Sequence, residues 1–229
     1  MKICLIPARS GSKRIKNKNI KNFFGKPLIA FAIQLAIKSK LFDKVIVSTD
    51  SNKIAKISKK YGATVPFLRP KKIANDYAID KDVINHFLKF AKINKIEINT
   101  LCYLYATTPL LKVSTLKKCY NLLIKSKYPK ITTISKFSHS IERALIKNKN
   151  GEITFRNKKY INYRSQNFKE YYYDTGQCYW FNVKKINNFV GKKWIKTLAV
   201  ELNQYDFHDL NTIDDFNILK KLYKIKKLK

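Results

Sequence analysis

KICLIPARSGSKRIKNKNIKNFFGKPLIAFAIQLAIKSKLFDKVIVSTD, residues 2–50, decides the fold. Residues 2–6 are a short apolar run closed by Pro7, the pattern of a buried strand. A polar loop, ARSGSKRIKNKN, follows at 8–19. Residues 27–40 then place apolar side chains at helical spacing, with Pro27 at the start, where the missing N–H costs nothing. KVIVSTD at 44–50 reads as a second strand. Strand, polar loop, helix, strand is the opening of a parallel βαβ unit.

The alternation continues outward. Residues 51–61 are amphipathic, Gly62 suits the cap at the end of that helix, and ATVPF continues as an extended segment. A helix over 80–93, a strand over 100–105 and a helix over 114–126 follow. Buried strands alternating with helices predict an α/β fold, a Rossmann-like three-layer sandwich whose parallel sheet is covered on both faces. Active sites of such sheets lie at the carboxyl ends of the strands. This points to the loop after Ile6, to Ser48 through Asp50, and to Ala106 through Pro109. From 131 to 173 the alternation fails, and Asn150-Gly151 between two β-like runs signals a hairpin, so this stretch reads as an insertion. Strand patterns return at 177–182 and 198–202. A last helix is expected over 212–227, with Asp214 and Asp215 favourable at its N-terminal end. Without internal repeats or a long linker, residues 1–229 read as one domain with an embellishment.

The chain carries 48 Lys and Arg against 15 Asp and Glu, a net charge of +33. At 45% hydrophobic and 13% aromatic residues it nevertheless has the material for a core, which excludes a disordered basic tail. A charge of this size suits nucleic acid or an anionic surface. The lysines, however, are spread over the whole length and not gathered on one stretch with interleaved aromatics, so a solvated coat is the reading adopted, with no nucleic-acid partner. Cys4, Cys102, Cys119 and Cys178 form no CxxC pair and have no His at metal spacing, so free thiols in a reducing compartment are expected. The apolar run before Pro7 is too short for a signal peptide, and no segment approaches the ~20 apolar residues of a membrane span. A cytoplasmic protein without a membrane partner is expected.

The loop at 8–19 has the ingredients of a phosphate cradle: a flexible Gly11, hydroxyls on Ser10 and Ser12, and cations on Arg9, Lys13 and Arg14. GxxxxGK[ST] and GxGxxG are both absent, so neither a Walker ATPase nor a dinucleotide binder is supported. An ordinary lysine-rich surface loop satisfies the same residues.

IPARSGSKRIKNKN with GKPLIAFAI behind it, then VIVSTD, FLRPKKIANDYA, RSQNFKEYYYDTGQCYW and DLNTIDDF occur in order from 6 to 216. This succession resembles the cytidylyltransferases that activate nonulosonic acids, the CMP-sialic acid synthetase family. YATTPLL at 105–111 and YDTGQCYW at 173–180 are more similar to its pseudaminic acid branch than to its sialic acid branch. The resemblance implies a nucleotide-diphosphosugar-transferase type of fold and a reaction of CTP with a nonulosonic acid, assisted by Mg2+, giving a CMP-sugar and pyrophosphate. It also implies a homodimer joined through a dimerisation arm at about 131–173. Attack on the α-phosphorus builds negative charge, which cations and backbone donors stabilise.

The resemblance carries over residue by residue. Arg9, Ser12, Lys13 and Asn19 match the nucleotide and triphosphate loop, with Lys13 the first choice for a phosphate contact. Arg69 and Asp76 match positions near the nucleotide, although Asp76 is equally suited to capping the helix behind it. Arg143 and Arg164 fall where the family places cations for the acceptor carboxylate, which a planar guanidinium binds in bidentate fashion. Tyr105 and Gln177 would shape the sugar pocket or simply pack in the sheet. Arg9, Lys13 and Asp209 are the catalytic candidates, and Asp209 with Asn211 the metal candidates. Asn211 departs from the family, which generally carries a second aspartate there; its amide offers only a neutral oxygen to Mg2+. His86, His139 and His208 have no triad or metal spacing, and the base that takes the acceptor proton is open between an aspartate and a metal-bound hydroxide. The expected product serves surface-glycan or flagellin glycosylation. N-acetylneuraminic or legionaminic acid is the alternative acceptor, and a non-catalytic basic protein that binds RNA or another anion is the alternative of another class.

Overall fold

The computed structural model describes residues 1–186 and 195–228. Strands are β1 (Lys2–Pro7), β2 (Asn22–Phe23), β3 (Lys26–Pro27), β4 (Lys44–Ser48), β5 (Thr100–Leu104), β6 (Lys130–Lys136), β7 (Leu145–Lys147), β8 (Ile153–Phe155), β9 (Tyr172–Asn182) and β10 (Thr197–Glu201). Helices are α1 (Leu28–Ser39), α2 (Asn52–Lys60), α3 (Asp80–Ile93), α4 (Val113–Lys125) and α5 (Ile213–Lys227). Six strands make the central sheet in the order β10-β6-β9-β5-β1-β4. Neighbours β1, β4 and β5 are parallel, as are β6 and β10.

Two expectations are corrected. β9, expected only from residue 177, begins at Tyr172 and runs antiparallel to both β5 and β6, so the sheet is mixed. β6 occupies the start of the stretch read as an insertion: residues 131–136 belong to the sheet. Its Thr132, Thr133 and Ser135 are polar yet buried, which hides the strand from a hydrophobicity pattern. Thr133 and Ser135 enter hydrogen bonds, the Thr175 hydroxyl donating to Thr133 and the Ser135 hydroxyl to the Leu202 carbonyl. The β7–β8 hairpin lies within the remaining arm.

Each face of the sheet buries its own core. On one, Cys4, Ile6, Val47, Cys102 and Trp180 pack against Ile29 and Ile33 of α1 and Leu116, Cys119 and Leu123 of α4. On the other, Ile3, Leu5, Leu101, Tyr103 and Phe181 pack against Val83, Phe87 and Ala91 of α3. The strict alternation of β1 between the two clusters is the period-2 geometry of a strand buried on both sides. A third cluster joins Ile15, Phe23, Leu28, Leu210, Phe216 and Leu219, which clamps the loop after β1 to the segment before α5. All four cysteines are free and buried. Gly62, at φ 93°, ends α2 with its N–H on the Lys59 carbonyl.

Candidate active site

β1 and β5 lie side by side, and the loops that leave their carboxyl ends line a crevice there. The loop after β1 is shaped by its own polar groups. Ser10 donates from its backbone N–H and its hydroxyl to the two carboxylate oxygens of Asp50, at 2.8 and 2.6 Å. Asn19, buried, donates from Nδ2 to the Arg9 carbonyl at 2.9 Å. Ile15 anchors the far side in the third core. Gly11 needs no unusual backbone angle, and a Cβ there would meet no atom within 4 Å, so open space lies over it.

The cations gather around this loop. Arg9 Nη1 and Lys13 Nζ meet separate oxygens of Asp76 at 2.6 and 2.7 Å, and their hydrogen bonds, Lys13's first, hold the Asp76 carboxyl below the usual range. Lys18 donates to the Leu210 carbonyl at 3.1 Å. Burial depresses its ammonium, with Asp209 opposing. A cavity of about 330 Å³ is lined by Arg9, Ser12, Lys13, Lys18, Asp76 and Asn211 among others. Lys18 was missed by sequence reasoning, because nothing in KRIKNKN separates it from the lysines beside it.

Deeper in the crevice a cavity of about 160 Å³ is lined by Arg9, Asn19, Arg69, Asp80, Tyr103 and Tyr105, among others. Arg69 is only 5% exposed, placed by its backbone N–H on the Thr49 carbonyl at 2.7 Å. Its Nε and Nη2 are buried and meet no protein acceptor. Burial therefore pushes the guanidinium down from its ordinary value. An unpaired buried donor is expensive, so this group suits a ligand that supplies the acceptor. Opposite in chemical character is Asp80, at the first turn of α3, which accepts from the Tyr103 hydroxyl at 2.9 Å and from the Tyr105 hydroxyl. Burial, and then the Asp80 charge, raise both phenols. Asp80 too was missed, since its partners stand 23 and 25 residues away.

The residues expected at the sugar acid do not converge. Tyr105 lines the inner cavity. Gln177 is 3% exposed and turned into the protein, its Nε2 on the Thr175 carbonyl at 2.9 Å. Arg143 and Arg164 lie exposed in the arm, and neither lines either cavity. At the other wall Asn211 Nδ2 donates to Asp209 Oδ2 at 2.6 Å, and the Asn211 N–H donates to Asp215 at 2.9 Å. Among the described residues no group of three or more His, Cys, Asp or Glu is placed to hold a metal ion. One carboxylate beside one amide oxygen fits a hard cation only where substrate phosphates complete its shell, which is how Mg2+ is commonly held. His86 is half-buried, edge-on to Phe67 at 4.9 Å, a packing role.

The family described as Cytidylyltransferase matches residues 3–229. A pseudaminic acid cytidylyltransferase of Campylobacter jejuni is 35% identical over 97% of this chain and 96% of its own length. A CMP-N,N'-diacetyllegionaminic acid synthase of Legionella pneumophila is 38% identical over half of each chain. The structure of CMP:2-keto-3-deoxy-manno-octonic acid synthetase complexed with CTP superposes with a TM-score of 0.72 over 99% of this chain and 100% of that one, at 17% identity, which shows a shared fold. With a family match across nearly its whole length, the chain belongs to the cytidylyltransferase family.

Proposed function

We propose that this protein transfers CMP from CTP to a nonulosonic acid, pseudaminic acid in the first place, releasing pyrophosphate. The observation that carries the reading is the crevice itself. A polyphosphate-sized basic cavity edged by Arg9, Ser12, Lys13 and Lys18 opens beside an inner pocket where Arg69 holds buried donors without acceptors. Full-length similarity to a pseudaminic acid cytidylyltransferase supports the choice of acceptor. In this reading Arg69 and Asn19 serve the nucleoside side, Arg9, Ser12, Lys13 and Lys18 the phosphates, and Tyr105 the boundary with the acceptor. Cations fixed around the transferred group stabilise the charge that develops as the anomeric hydroxyl attacks. Asp209, with the Asn211 amide, would hold Mg2+, which when bound neutralises phosphate charge. Among the described residues no helix is long and apolar enough to cross a membrane, and a cytoplasmic location is part of the proposal.

The same reading includes a homodimer formed through the arm. Leu145, Ile146 and Ile153 of the β7–β8 hairpin are 51%, 52% and 65% exposed, apolar surface that a second copy would cover. Arg143 and Arg164 lie in this arm, and pairing would let them serve the partner's acceptor carboxylate. Pyrophosphate release is the direct test, with CTP, Mg2+ and pseudaminic, legionaminic or N-acetylneuraminic acid offered separately, and ATP, GTP and UTP as controls. Turnover with CTP and pseudaminic acid is expected; turnover only with another acid reassigns the acceptor, and silence with all three removes the reading.

A further inference from the structure

Asp76 faces the two cations that the nucleotide reading assigns to phosphate, and does so with both of its oxygens. Oδ1 meets Arg9 at 2.6 Å and Oδ2 meets Lys13 at 2.7 Å. A carboxylate held this way satisfies the geometry that two phosphate oxygens would otherwise use. It lies on the wall of the outer cavity, on the short segment that also contributes Ala78 and Ile79 to the inner one. We infer that Asp76 is a built-in competitor for the polyphosphate: it neutralises Arg9 and Lys13 in the free protein and must give them up when a triphosphate or pyrophosphate binds. The inference rests on the proposed nucleotide chemistry and goes beyond it, since it makes an acidic residue of the site lower, not raise, the affinity for the ligand.

Three features fit this role. The pairs are solvent-accessible, with side-chain exposures of 34% for Arg9, 83% for Lys13 and 38% for Asp76, so each is worth only about one- to fivefold in an equilibrium constant and is exchangeable. The segment around Asp76 is held independently of those pairs: Asn75 Oδ1 accepts from the N–H groups of Tyr77 and Ala78 at 2.9 Å, and Asn75 Nδ2 donates to the Lys72 carbonyl at 3.0 Å. Losing the cations therefore does not unmake the turn. Finally, Arg9 is also fixed through its carbonyl by Asn19, so its guanidinium can change partners while its backbone stays in place.

The test is equilibrium binding of CTP, inorganic pyrophosphate and cytidine, without any sugar acid, to the wild type, Asp76→Asn and Asp76→Glu at two salt concentrations. Asp76→Asn is expected to bind CTP and pyrophosphate about two- to tenfold tighter, and to lose that affinity more steeply with salt, because the patch has gained a net positive charge. Cytidine, which has no phosphate, should bind all three proteins alike, and Asp76→Glu should follow the wild type. Unchanged or weaker CTP and pyrophosphate binding by Asp76→Asn overturns the inference, as does an equal shift for all three ligands, which would mark a disturbed loop. Failure of the wild type to bind CTP counts against the proposed function instead, and the pyrophosphate arm still decides the role of Asp76.

Discussion

Arg69 is the residue whose identity and environment agree most closely. A guanidinium at 5% exposure with two orphaned donors is stable only while something else compensates its charge, and the crevice is open to a ligand that does so. Arg69→Ala should weaken CTP binding by about ten- to a hundredfold, the size of a hydrogen bond to a charged group, and Arg69→Lys should recover only part of it because the planar fork is lost. Binding calorimetry with CTP checks both. Asn211 makes the opposite case, a neutral residue beside Asp209 where a second carboxylate would strengthen a cation site. Asn211→Asp should keep activity at saturating Mg2+ and raise it at low Mg2+; a large loss would show that the metal is held elsewhere. Arg69 was singled out in the sequence by its place in the FLRPKKIANDYA block, whose resemblance puts it near the nucleotide. Asp80 was not, because its meaning lies in two tyrosine hydroxyls on a different element.

The elements that position the site depend on a few capping interactions. At the start of α5, Thr212 Oγ1 accepts from the Asp215 N–H at 3.2 Å while Asp215 Oδ2 accepts from the Thr212 N–H at 2.7 Å, a reciprocal capping box that also fixes Asn211. Thr212→Ala should cost about 1 kcal/mol, a fall in Tm of ~2–4 °C for a chain of this size. The Thr212 and Asn211 N–H groups hold the Asp215 carboxyl below its ordinary value. A carboxyl whose folded value is depressed binds fewer protons folded than unfolded as the pH falls. Its stabilisation is therefore complete above the ordinary carboxylate range and is lost as the pH drops through the depressed value. Thermal unfolding followed from pH 7 down to about pH 3 should show an acid loss of stability that is shallower in Asp215→Asn. Element boundaries were readable wherever a cap or an apolar run marked them: α3 coincides with the expected 80–93, and α5 starts one residue beyond Thr212. β6 was not readable, because its Thr and Ser side chains become core residues only once β9 and β10 lie beside it.

Over the whole molecule the +33 charge contrasts with a site that contains Asp50, Asp76, Asp80 and Asp209. A lysine coat raises the local concentration of an anionic substrate without specifying it. CTP association should therefore slow as salt rises from low to physiological ionic strength, in stopped-flow binding, even in variants of the arm. Sedimentation should give a dimer for the wild type and a monomer for Ile146→Lys with Ile153→Lys; if the doubly substituted protein stays dimeric, the hairpin is not the interface. By itself the sequence determined the βαβ rhythm, the two-sided burial of β1 and the family, because these are local periodicities and short motifs carried by neighbouring residues. Only the tertiary structure decided the antiparallel course of β9, the inclusion of β6 in the sheet, the orphaned donors of Arg69, the Asp76 contacts with Arg9 and Lys13, and the inward turn of Gln177. Each of these depends on which distant segments share a hydrogen bond or exclude water together, and chain order does not encode that.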